Sequence, residues 1–283
     1  MKRICLVLGI NRSSYYAWLR RPPSQREKAN LLLVEKLKSL HQESRGTYGA
    51  PRLTEQLKTQ GYNCGRKRVA NLMRKTGIIG CARKRFRPIS ATYPKHNLPV
   101  APRLFEIEKK ESLPQAPNRV WVGDTTYIPT KEGWIFLTIV MDLFSRKVVG
   151  YSITDHLRAE AVWEAMKLGI CSQTGALSPQ EPNLLVHSDQ GTQYASDLYR
   201  GKLKLLGITQ SMSRKGNCYD NAYAESFFHT LKIELVHRHE FQTRAQAQNA
   251  IQEYIDNWYN VKRLHSGLGY KTPFEYERNA LAA

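Results

Sequence analysis

The amino-acid sequence predicts an α/β protein in which a small all-α region precedes a domain built on a mixed sheet. Apolar residues recur at helical spacing in the first part of the chain, and strand-like apolar runs begin at residue 119. The charge changes with the pattern. Residues 1–100 contain 22 Lys and Arg, 4 Glu and no Asp, a net charge of +18, whereas residues 101–283 carry 21 basic and 20 acidic residues, a net charge of +1. A basic polyanion-binding module ahead of a nearly neutral globular one fits this asymmetry better than a solvated basic surface.

The N-terminal pattern predicts three helices. Two short helices occupy residues 1–20, with Gly9 at the turn and Ser13 and Ser14 available to cap the second. An amphipathic helix follows over residues 26–43. We expect its apolar stripe to pack in a core. The stripe consists of Leu33, Leu37 and Leu40.

Residues 48–79 have the pattern of a compact helix-turn-helix. Its first helix follows Pro51, Gly61 and Gly65 flank the turn, and the second helix reads GRKRVANLMRKTG. Basic and amide side chains on that helix suit a DNA groove, where Arg and Asn read base edges and Lys binds phosphate. A helical hairpin with a solvated basic face fits the pattern equally, and the local charge favours DNA. The candidate DNA-binding residues are Arg66, Lys67, Arg68, Asn71, Arg74 and Lys75.

A basic, proline-containing linker is predicted next. Pro88, Pro94, Pro99 and Pro102 exclude a regular helix. An extended segment of this kind is compatible with two roles, lying along a phosphate backbone or serving as a flexible connection.

From residue 119 the order of elements predicts a ribonuclease-H-like plan. Three strand-like runs come first, VWVGDTTYIP, GWIFLTIVMDLF and KVVGYSITD. They are followed by a helix over residues 158–172, the strand NLLVHSD, a helix near 195–206, the strand ITQSMS and the helix NAYAESFFHTLKIEL. The order β-β-β-α-β-α-β-α matches a mixed sheet with helices on its faces. The final predicted helix, near residues 243–260, has as its apolar stripe Ala250, Ile251, Tyr254, Ile255 and Trp258.

Three acidic residues are the strongest functional signal. Asp124 interrupts a strand-like run, Asp189 ends another, and Glu225 lies on a helix. A carboxylate in the middle of a strand is costly unless it has a partner. Three carboxylates held on rigid elements would form a cage of hard oxygen ligands for two Mg²⁺ or Mn²⁺ ions, which is a device for cutting and joining phosphodiesters. We therefore predict that these three residues are both catalytic and metal-binding.

The helix of Glu225 carries two further candidates. Lys232 lies two turns after Glu225 on the same face, and we expect it to contact the DNA backbone near the scissile phosphate. His229 shares that face, and an exposed polar role is as compatible with its position as a DNA contact.

Other polar residues have structural interpretations. Asp142 precedes a turn and is expected to cap backbone N–H groups. The pair Asp220–Asn221 is expected to cap the helix of Glu225. His187 fits either a supporting partner of Asp189 or a buried, satisfied histidine.

Cysteine usage and hydropathy exclude several classes of protein. The five cysteines are scattered, odd in number and without a CxxC pair, which argues against a zinc site or a disulfide framework and for a reducing cytoplasm. No apolar run approaches membrane-spanning length, and the run at residues 4–10 is too short for a cleaved signal peptide. We expect a cytoplasmic protein without membrane contact.

These motifs resemble a known family. The sequence is similar to the downstream-frame (OrfB) product of bacterial insertion sequences of the insertion-sequence-three family, which are DDE transposases related to retroviral integrases. The resemblance spans nearly the whole chain, including the three acids and Lys232. The matching stretches are YGAPRLTEQL, RKRVANLMRKTGI, WVGDTTYI, MDLFSRKVVGYSI, HSDQGTQY, GNCYDNAYAESFFHTLKIEL and YNVKRLHSGLGYKTPFEY.

The resemblance implies metal-dependent cleavage at the ends of an element and strand transfer by a freed 3′-OH. It implies that DNA is the partner, both as terminal inverted repeats and as target, and that a homo-oligomer acts on paired ends. It also implies an upstream-frame fusion or partner, whose leucine zipper is not evident in this sequence. The predicted domains are residues 1–45, N-terminal helical; 46–79, helix-turn-helix-like; 80–118, linker; 119–240, integrase-like catalytic core; and 241–283, C-terminal helix and tail.

Two other functions fit parts of the sequence. A non-catalytic DNA-binding regulator of transposition on the same fold is disfavoured by the intact acidic trio. A nuclease that cuts RNA in hybrids would use the same fold and metals. The basic N-terminal module favours DNA ends over that substrate.

Overall fold

The computed structural model describes residues 2–81, 97–105, 113–174, 183–214 and 221–282. The chain divides into two compact units, Met1–Cys81 and Ala82–Ala283. Most of the predicted linker, including Pro88 and Pro94, lies outside the described residues. No helix within the described ranges has the length and apolar character needed to cross a membrane.

The first unit is helical, as predicted. Its third helix begins with a capping box between Ser24 and Glu27. The expected cap of the second helix was wrong, because the side chain of Asn11 accepts the hydrogen bond from the Ser13 amide (3.0 Å) and both serines lie inside the helix. The helices are α1 (Lys2–Val7), α2 (Arg12–Arg20), α3 (Gln25–Glu43), α4 (Ala50–Thr59) and α5 (Arg66–Thr76).

Helices α3, α4 and α5 pack pairwise around a small core. The turn between α4 and α5 contains Gly61 at φ +83°, a left-handed conformation that favours glycine. Gly77, at φ +72°, ends α5 in the same conformation. The predicted helix-turn-helix is therefore present. The buried apolar residues of the three helices are Leu33, Leu37 and Leu40 of α3, Leu53 and Leu57 of α4, and Val69, Leu72 and Met73 of α5.

The second unit contains a five-stranded mixed sheet in the order β3-β2-β1-β4-β5. The first three strands form an antiparallel meander, whereas β4 and β5 run parallel to β1. This arrangement confirms the predicted sheet. The strands are β1 (Val120–Thr130), β2 (Gly133–Asp142), β3 (Val148–Thr154), β4 (Leu185–Ser188) and β5 (Thr209–Met212).

Six α-helices in the described part of the second unit accompany the sheet. The helix expected near residues 195–206 is present as Asp197–Leu205, with a short additional helix, Thr192–Ala195, before it. The helix expected near 243–260 ends in a π-helical turn, Tyr254–Tyr259. Helix α11 was not predicted. The helices are α6 (Ala159–Thr174), α7 (Thr192–Ala195), α8 (Asp197–Leu205), α9 (Ala222–Glu234), α10 (Arg244–Glu253) and α11 (Pro273–Leu281), with 3₁₀ turns at Val236–Arg238 and Ser266–Leu268.

Helix α6 lies directly on β3 because two glycines meet there. A Cβ atom on Gly150 would lie 2.2 Å from the carbonyl oxygen of Ala165 and 2.4 Å from the amide nitrogen of Gly169. No other residue fits at this crossing without separating the helix from the sheet. Trp121, 1% exposed, packs on Gly169 from β1 and anchors the core on this face.

The C-terminal segment holds the turn between β2 and β3. The Asn260 side chain accepts a hydrogen bond from the Val148 amide and donates one to its carbonyl, both at 3.0 Å. Lys147 forms an ion pair with Glu277 of α11 at 2.6 Å. These contacts bind residues distant in sequence to the far edge of the sheet.

Candidate active site

The two aspartates meet where β4 ends. The parallel pairing of β1 with β4 finishes at Gly123 and Ser188. The residues that follow are Asp124 on β1 and Asp189 in the loop after β4, and neighbouring strands lie only about 4.8 Å apart. The strand register therefore brings together two acids that are far apart in sequence.

Backbone amides orient both carboxylates. Oδ1 of Asp124 accepts a hydrogen bond from the Thr125 amide at 2.8 Å, and Oδ1 of Asp189 accepts one from the Gly191 amide at 3.0 Å. A Cβ on Gly191 would lie 3.0 Å from that same Asp189 oxygen, so a larger residue there would push the carboxylate by a few tenths of an ångström. Both aspartates are half-buried.

Glu225 joins the aspartates from the first turn of α9, which packs against β1. Burial raises the pKa of Asp124 well above its ordinary value, and the charges of Asp189 and Glu225 raise it further. The Thr125 amide and the Lys232 ammonium oppose these effects. Desolvation also raises the pKa of Glu225. The structure thus places all three predicted acids and Lys232 in one electrostatic environment.

Lys232 supplies a positive charge beside the acids. Its Nζ lies 5.2 Å from the centre of the Tyr127 ring, a cation–π contact. Burial lowers the pKa of Lys232, and the charge of Asp124 opposes that shift. His229 is half-buried on the same helix, and its role stays a prediction.

Tyr194 is a component of the site that the sequence did not single out. The edge of its ring approaches β1 so closely that a Cβ on Gly123 would lie 3.2 Å from Cε1 and 3.4 Å from the hydroxyl oxygen. Burial raises the pKa of this phenol well above its usual value, followed by the charges of Asp124 and Asp189. A signal was available, since the tyrosine follows Asp189 by five residues in HSDQGTQY.

Asp142 has the structural role that was predicted. Its carboxylate is fully buried and accepts hydrogen bonds from the amides of Asn118 (2.9 Å) and Ser145 (2.8 Å) and from the Ser145 hydroxyl (2.7 Å). These bonds fix the turn after β2 and engage both carboxylate oxygens of Asp142.

The other polar residues have mixed outcomes. Asn221 occupies the N-cap position of α9, but its side chain makes no capping hydrogen bond, so that prediction was wrong. Asp220 lies outside the described residues. His187 is fully buried, its Nδ1 hydrogen bonds with the Ser211 hydroxyl at 2.9 Å, and its ring contacts Phe105 edge-on, which agrees with the prediction of a buried histidine.

The candidate DNA-binding residues of α5 divide into two groups. Arg68 is partly buried, and its Nε donates a hydrogen bond to Asn30 of α3 at 2.9 Å, which ties the two helices together. The remaining side chains are exposed and available to a polyanion. They are Arg66, Lys67, Asn71, Arg74 and Lys75.

The chain matches known families over both units. Residues 114–218 match the family described as Integrase core domain, and residues 206–273 match a second family of that description. Residues 27–86 match an HTH-like domain. The fold and these matches define the class as a polynucleotidyl transferase with an integrase core.

Named relatives make the assignment more specific. The transposase for insertion sequence element IS904 of Lactococcus lactis is 42% identical over 264 residues, covering 92% of this chain and 99% of that protein. Transposase InsF for insertion sequence IS3A of Escherichia coli is 37% identical over 284 residues, covering 100% and 95%. Among solved structures, the HTLV-2 integrase catalytic core domain in complex with magnesium is 18% identical, with a TM-score of 0.44 over 58% of this chain and 98% of that one. The chain belongs to the family of insertion-sequence transposases related to IS3.

Proposed function

We propose that this transposase cuts the ends of its insertion sequence and joins them to target DNA, using Asp124, Asp189 and Glu225 as its catalytic acids. The observation that carries the proposal is the electrostatic coupling of Asp124 to both other acids at the end of β4. Two half-buried aspartates, with the charge of Glu225 also acting on Asp124, are unfavourable without a cation, and such perturbed groups cluster at functional sites.

The donors fit hard divalent ions. Carboxylate oxygens are the ligands that Mg²⁺ and Mn²⁺ prefer. Two such ions, when bound, would supply activation of the attacking oxygen and stabilisation of the leaving oxygen in phosphoryl transfer. Asp124, Asp189 and Glu225 would together hold these ions, with Asp124 as the central ligand.

Ion binding requires an adjustment of side chains. Among the described residues, no group of three or more His, Cys, Asp or Glu side chains already stands close enough to hold one ion. Asp124 and Asp189 are each fixed by a backbone amide, whereas Glu225 is exposed on α9. We infer that Glu225 is the acid that turns inward and completes the site.

Basic residues supply the DNA contacts in this proposal. Lys232, half-buried beside Asp124, binds the backbone near the scissile phosphate. The exposed face of α5 binds the terminal repeats, as expected for a DNA-binding helix that presents Arg, Lys and Asn. We further propose that the protein acts in the cytoplasm as a homo-oligomer on paired ends, together with an upstream-frame product.

Asp124→Asn tests the catalytic assignment. The variant keeps the shape of the side chain and removes the charge that binds the ions, a loss of several kcal/mol, so strand transfer falls by about 10³-fold or more. The measurement is transfer of labelled terminal repeats into plasmid DNA with Mg²⁺, with Mn²⁺ and with a chelator. DNA affinity is measured in parallel and is expected to stay within about threefold of the wild type.

Asp197→Asn is the matched control, because Asp197 is an exposed aspartate at the start of α8. It should transfer strands at the wild-type rate. Strand transfer that survives Asp124→Asn would overturn the assignment of the acids. DNA binding without transfer by the wild-type chain, in either metal, would favour the non-catalytic regulator.

A further inference from the structure

Two aromatic rings on the β1–β2 hairpin lie next to Lys232. The ring of Trp134 contacts that of Tyr127 edge-on, with centroids 5.0 Å apart and planes at 85°. The Lys232 Nζ lies 5.2 Å from the centre of the Tyr127 ring. Tyr127 is half-buried, whereas Trp134 is 51% exposed, so the outer ring of the pair is in contact with solvent.

The strand register extends this pair into a patch on one face of the sheet. Tyr127 on β1 pairs with Phe136 on β2. Two residues further along β1, Pro129 pairs with Trp134. Alternate residues of a strand point to the same face, so these four residues lie together and form the hairpin patch. A single exposed ring is ordinary on a protein surface, but a run of adjoining apolar groups indicates a contact surface.

Two neighbouring elements stop short of the hairpin patch. Strand β4 ends opposite Gly123, so it does not extend along the part of β1 that carries the patch. Helix α6 meets β3 in its first turn, where the Ala161 carbonyl accepts a hydrogen bond from the Ser152 hydroxyl at 2.7 Å. The residue of β2 that pairs with Ser152 is Thr138, and Trp134 lies four residues beyond it. Within the described ranges, β4 and α6 therefore leave this end of the face uncovered.

The hairpin that carries the patch is held in place at its tip. The Lys131 amide donates a hydrogen bond to the Phe241 carbonyl at 3.0 Å. On the other side of the tip, the Arg244 amide donates one to the Glu132 carboxylate at 2.7 Å. Because these contacts fix the hairpin before a ligand arrives, binding on the patch would cost little further ordering.

Lys232 connects the patch with the catalytic acids. Asp124 and Tyr127 are three residues apart on β1 and therefore point to opposite faces of the sheet. The edge of β1 between these faces is unpaired on the β4 side beyond Gly123. The lysine is close to both groups, because its ammonium contacts the Tyr127 ring and its charge acts on Asp124. A DNA strand whose phosphate is bound by Lys232 thus has the rings within reach of its bases.

We propose that Tyr127 and Trp134 form a stacking platform for an unpaired base of the DNA strand bound at the active site, with Lys232 holding a phosphate of that strand. The inference rests on the proposed function, which places a DNA end beside Lys232. A cation next to a pair of aromatic rings matches the phosphate and the base of one nucleotide, and this pairing favours DNA over a protein partner.

The platform would select the structure of the DNA end and not its sequence. A base inside a duplex is stacked on both sides, so only an unpaired base has a face to offer to a protein ring. Every base has such a face, and stacking on aromatic side chains therefore tolerates any sequence. We expect a preference for ends whose terminal base pairs are open.

Trp134→Leu tests the proposal, because leucine keeps an apolar side chain and removes the ring. The probe is a labelled terminal repeat in two forms, one fully paired and one with its terminal base pairs mismatched. Fluorescence anisotropy with the full chain in chelator gives the two dissociation constants without DNA cleavage. The wild type should bind the mismatched form more tightly, and Trp134→Leu should reduce this preference by about tenfold, as expected for the loss of one stacked base.

Two substitutions supply the matched controls. Trp134→Phe keeps a ring at the same position and should retain most of the preference. Trp18→Leu removes a tryptophan that is 65% exposed in the first unit, and it should leave the ratio of the two dissociation constants unchanged. The melting temperature of Trp134→Leu should stay close to that of the wild type, because Trp134 lies outside the buried core.

The outcomes separate the platform from the other interpretations of the patch. A full preference for the mismatched form in Trp134→Leu would overturn the proposal, as would an equal loss in Trp134→Phe. A changed oligomeric state of Trp134→Leu by light scattering, with the preference intact, would overturn it as well and would assign the patch to a contact between copies of the chain.

The test is also separable from the proposed catalytic function, because binding is measured without metal ions. If Asp124→Asn is inactive in strand transfer while Trp134→Leu keeps the preference, only the platform fails. If Asp124→Asn is active, the assignment of the acids fails, whereas a lost preference in Trp134→Leu still supports the platform.

Discussion

Asp124 combines properties that conflict unless the residue has a ligand. It sits in the middle of a central strand, half-buried, with a second aspartate where the adjoining strand ends. The Thr125 amide donates a hydrogen bond to its carboxylate, but this bond lowers the pKa of Asp124 less than burial raises it. The folded chain therefore holds a proton on this group at pH values where an ordinary aspartate has lost it.

This shift predicts how stability depends on pH. The pKa of Asp124 is raised on folding, so between the ordinary aspartate value and the folded value the folded chain binds a proton that the unfolded chain releases. Stability contributed by this group is complete below the ordinary value and is lost as pH rises through the folded pKa. With metal ions removed by a chelator, we expect Asp124→Asn to have a higher melting temperature than the wild type. The difference should grow as the pH rises.

Thermal melting between about pH 4 and about pH 8 in chelator measures this difference. Adding Mg²⁺ should then stabilise the wild type and leave Asp124→Asn unchanged, because only the form that binds an ion gains stability from it. Asp197→Asn, at an exposed position, should follow the wild type throughout. A difference in melting temperature between wild type and Asp124→Asn that stays constant across this pH range would contradict a raised pKa of Asp124.

Helix α9 depends on a buried ion pair at its C-terminal end. Glu234, 8% exposed, accepts three hydrogen bonds from Arg263 at 2.7–3.0 Å and one from the Tyr254 hydroxyl at 2.9 Å. Arg263 itself is 4% exposed. Because Glu225 and Lys232 are on this helix, the pair fixes the element that presents both to the pocket.

Arg263→Met should therefore be strongly destabilising. It leaves the Glu234 carboxylate buried without its cation, which typically costs about 3–5 kcal/mol. The double variant Glu234→Leu with Arg263→Met should recover most of that loss, since an apolar pair of similar volume replaces a desolvated one. Denaturant unfolding followed by tryptophan fluorescence measures both changes.

A surface ion pair supplies the comparison. Lys167 and Glu164 of α6 stand 3.5 Å apart, with side chains 47% and 58% exposed, so Lys167→Met should change the free energy of unfolding by less than about 0.5 kcal/mol. A cost below about 1 kcal/mol for Arg263→Met would show that the buried pair does not anchor α9.

The helices and strands differ in how well the sequence predicted them. The strands, α6 and α9 were predicted because each carries its own apolar period. Helix α11 was missed because it buries only Pro273 and Glu277 and has no apolar stripe. Its local signal, a capping box between Thr272 and Glu275, was present but short.

At the site, single residues were predictable and their coupling was not. An acid in a strand is visible in any sequence, so Asp124 could be singled out. Its proximity to Tyr194 depends on β4 stopping opposite Gly123, and no local pattern encodes that register. The same holds for the Asn260 contacts to Val148, which join residues 112 positions apart.

At the scale of the whole molecule, charge and chemistry are separated. The excess of basic residues lies in the first hundred residues, whereas the acids of the pocket belong to residues 101–283, whose charge is almost balanced. DNA affinity and catalysis should therefore respond to different sets of substitutions. Counterion release makes the first of these measurable by salt dependence.

The triple variant Lys67→Ala, Arg74→Ala, Lys75→Ala tests this separation. Each basic side chain that neutralises a phosphate adds about 0.9 to the steepness of log K against log salt, so removing three of them should make the slope shallower by up to about 3. Fluorescence anisotropy with labelled terminal repeats over a range of salt concentrations measures the slope. The exposed basic residues Lys167, Lys204 and Arg278 of the second unit, changed together to Ala, are the control. An equal drop in slope for that control would contradict the assignment of α5.

The hold of the C-terminal segment on the β2–β3 turn has a consequence for synthesis in the cell. Asn260 and Glu277 are translated long after the strands they brace, 112 and 130 residues behind Val148 and Lys147. The sheet edge and the anchor of α9 are thus completed only after Arg263, Asn260 and Glu277 have been translated. A ribosome that stops early releases a polypeptide suited to degradation by proteases. Chains that include Asn260 and Glu277 would then meet little competition from truncated chains for binding to the ends of the insertion sequence.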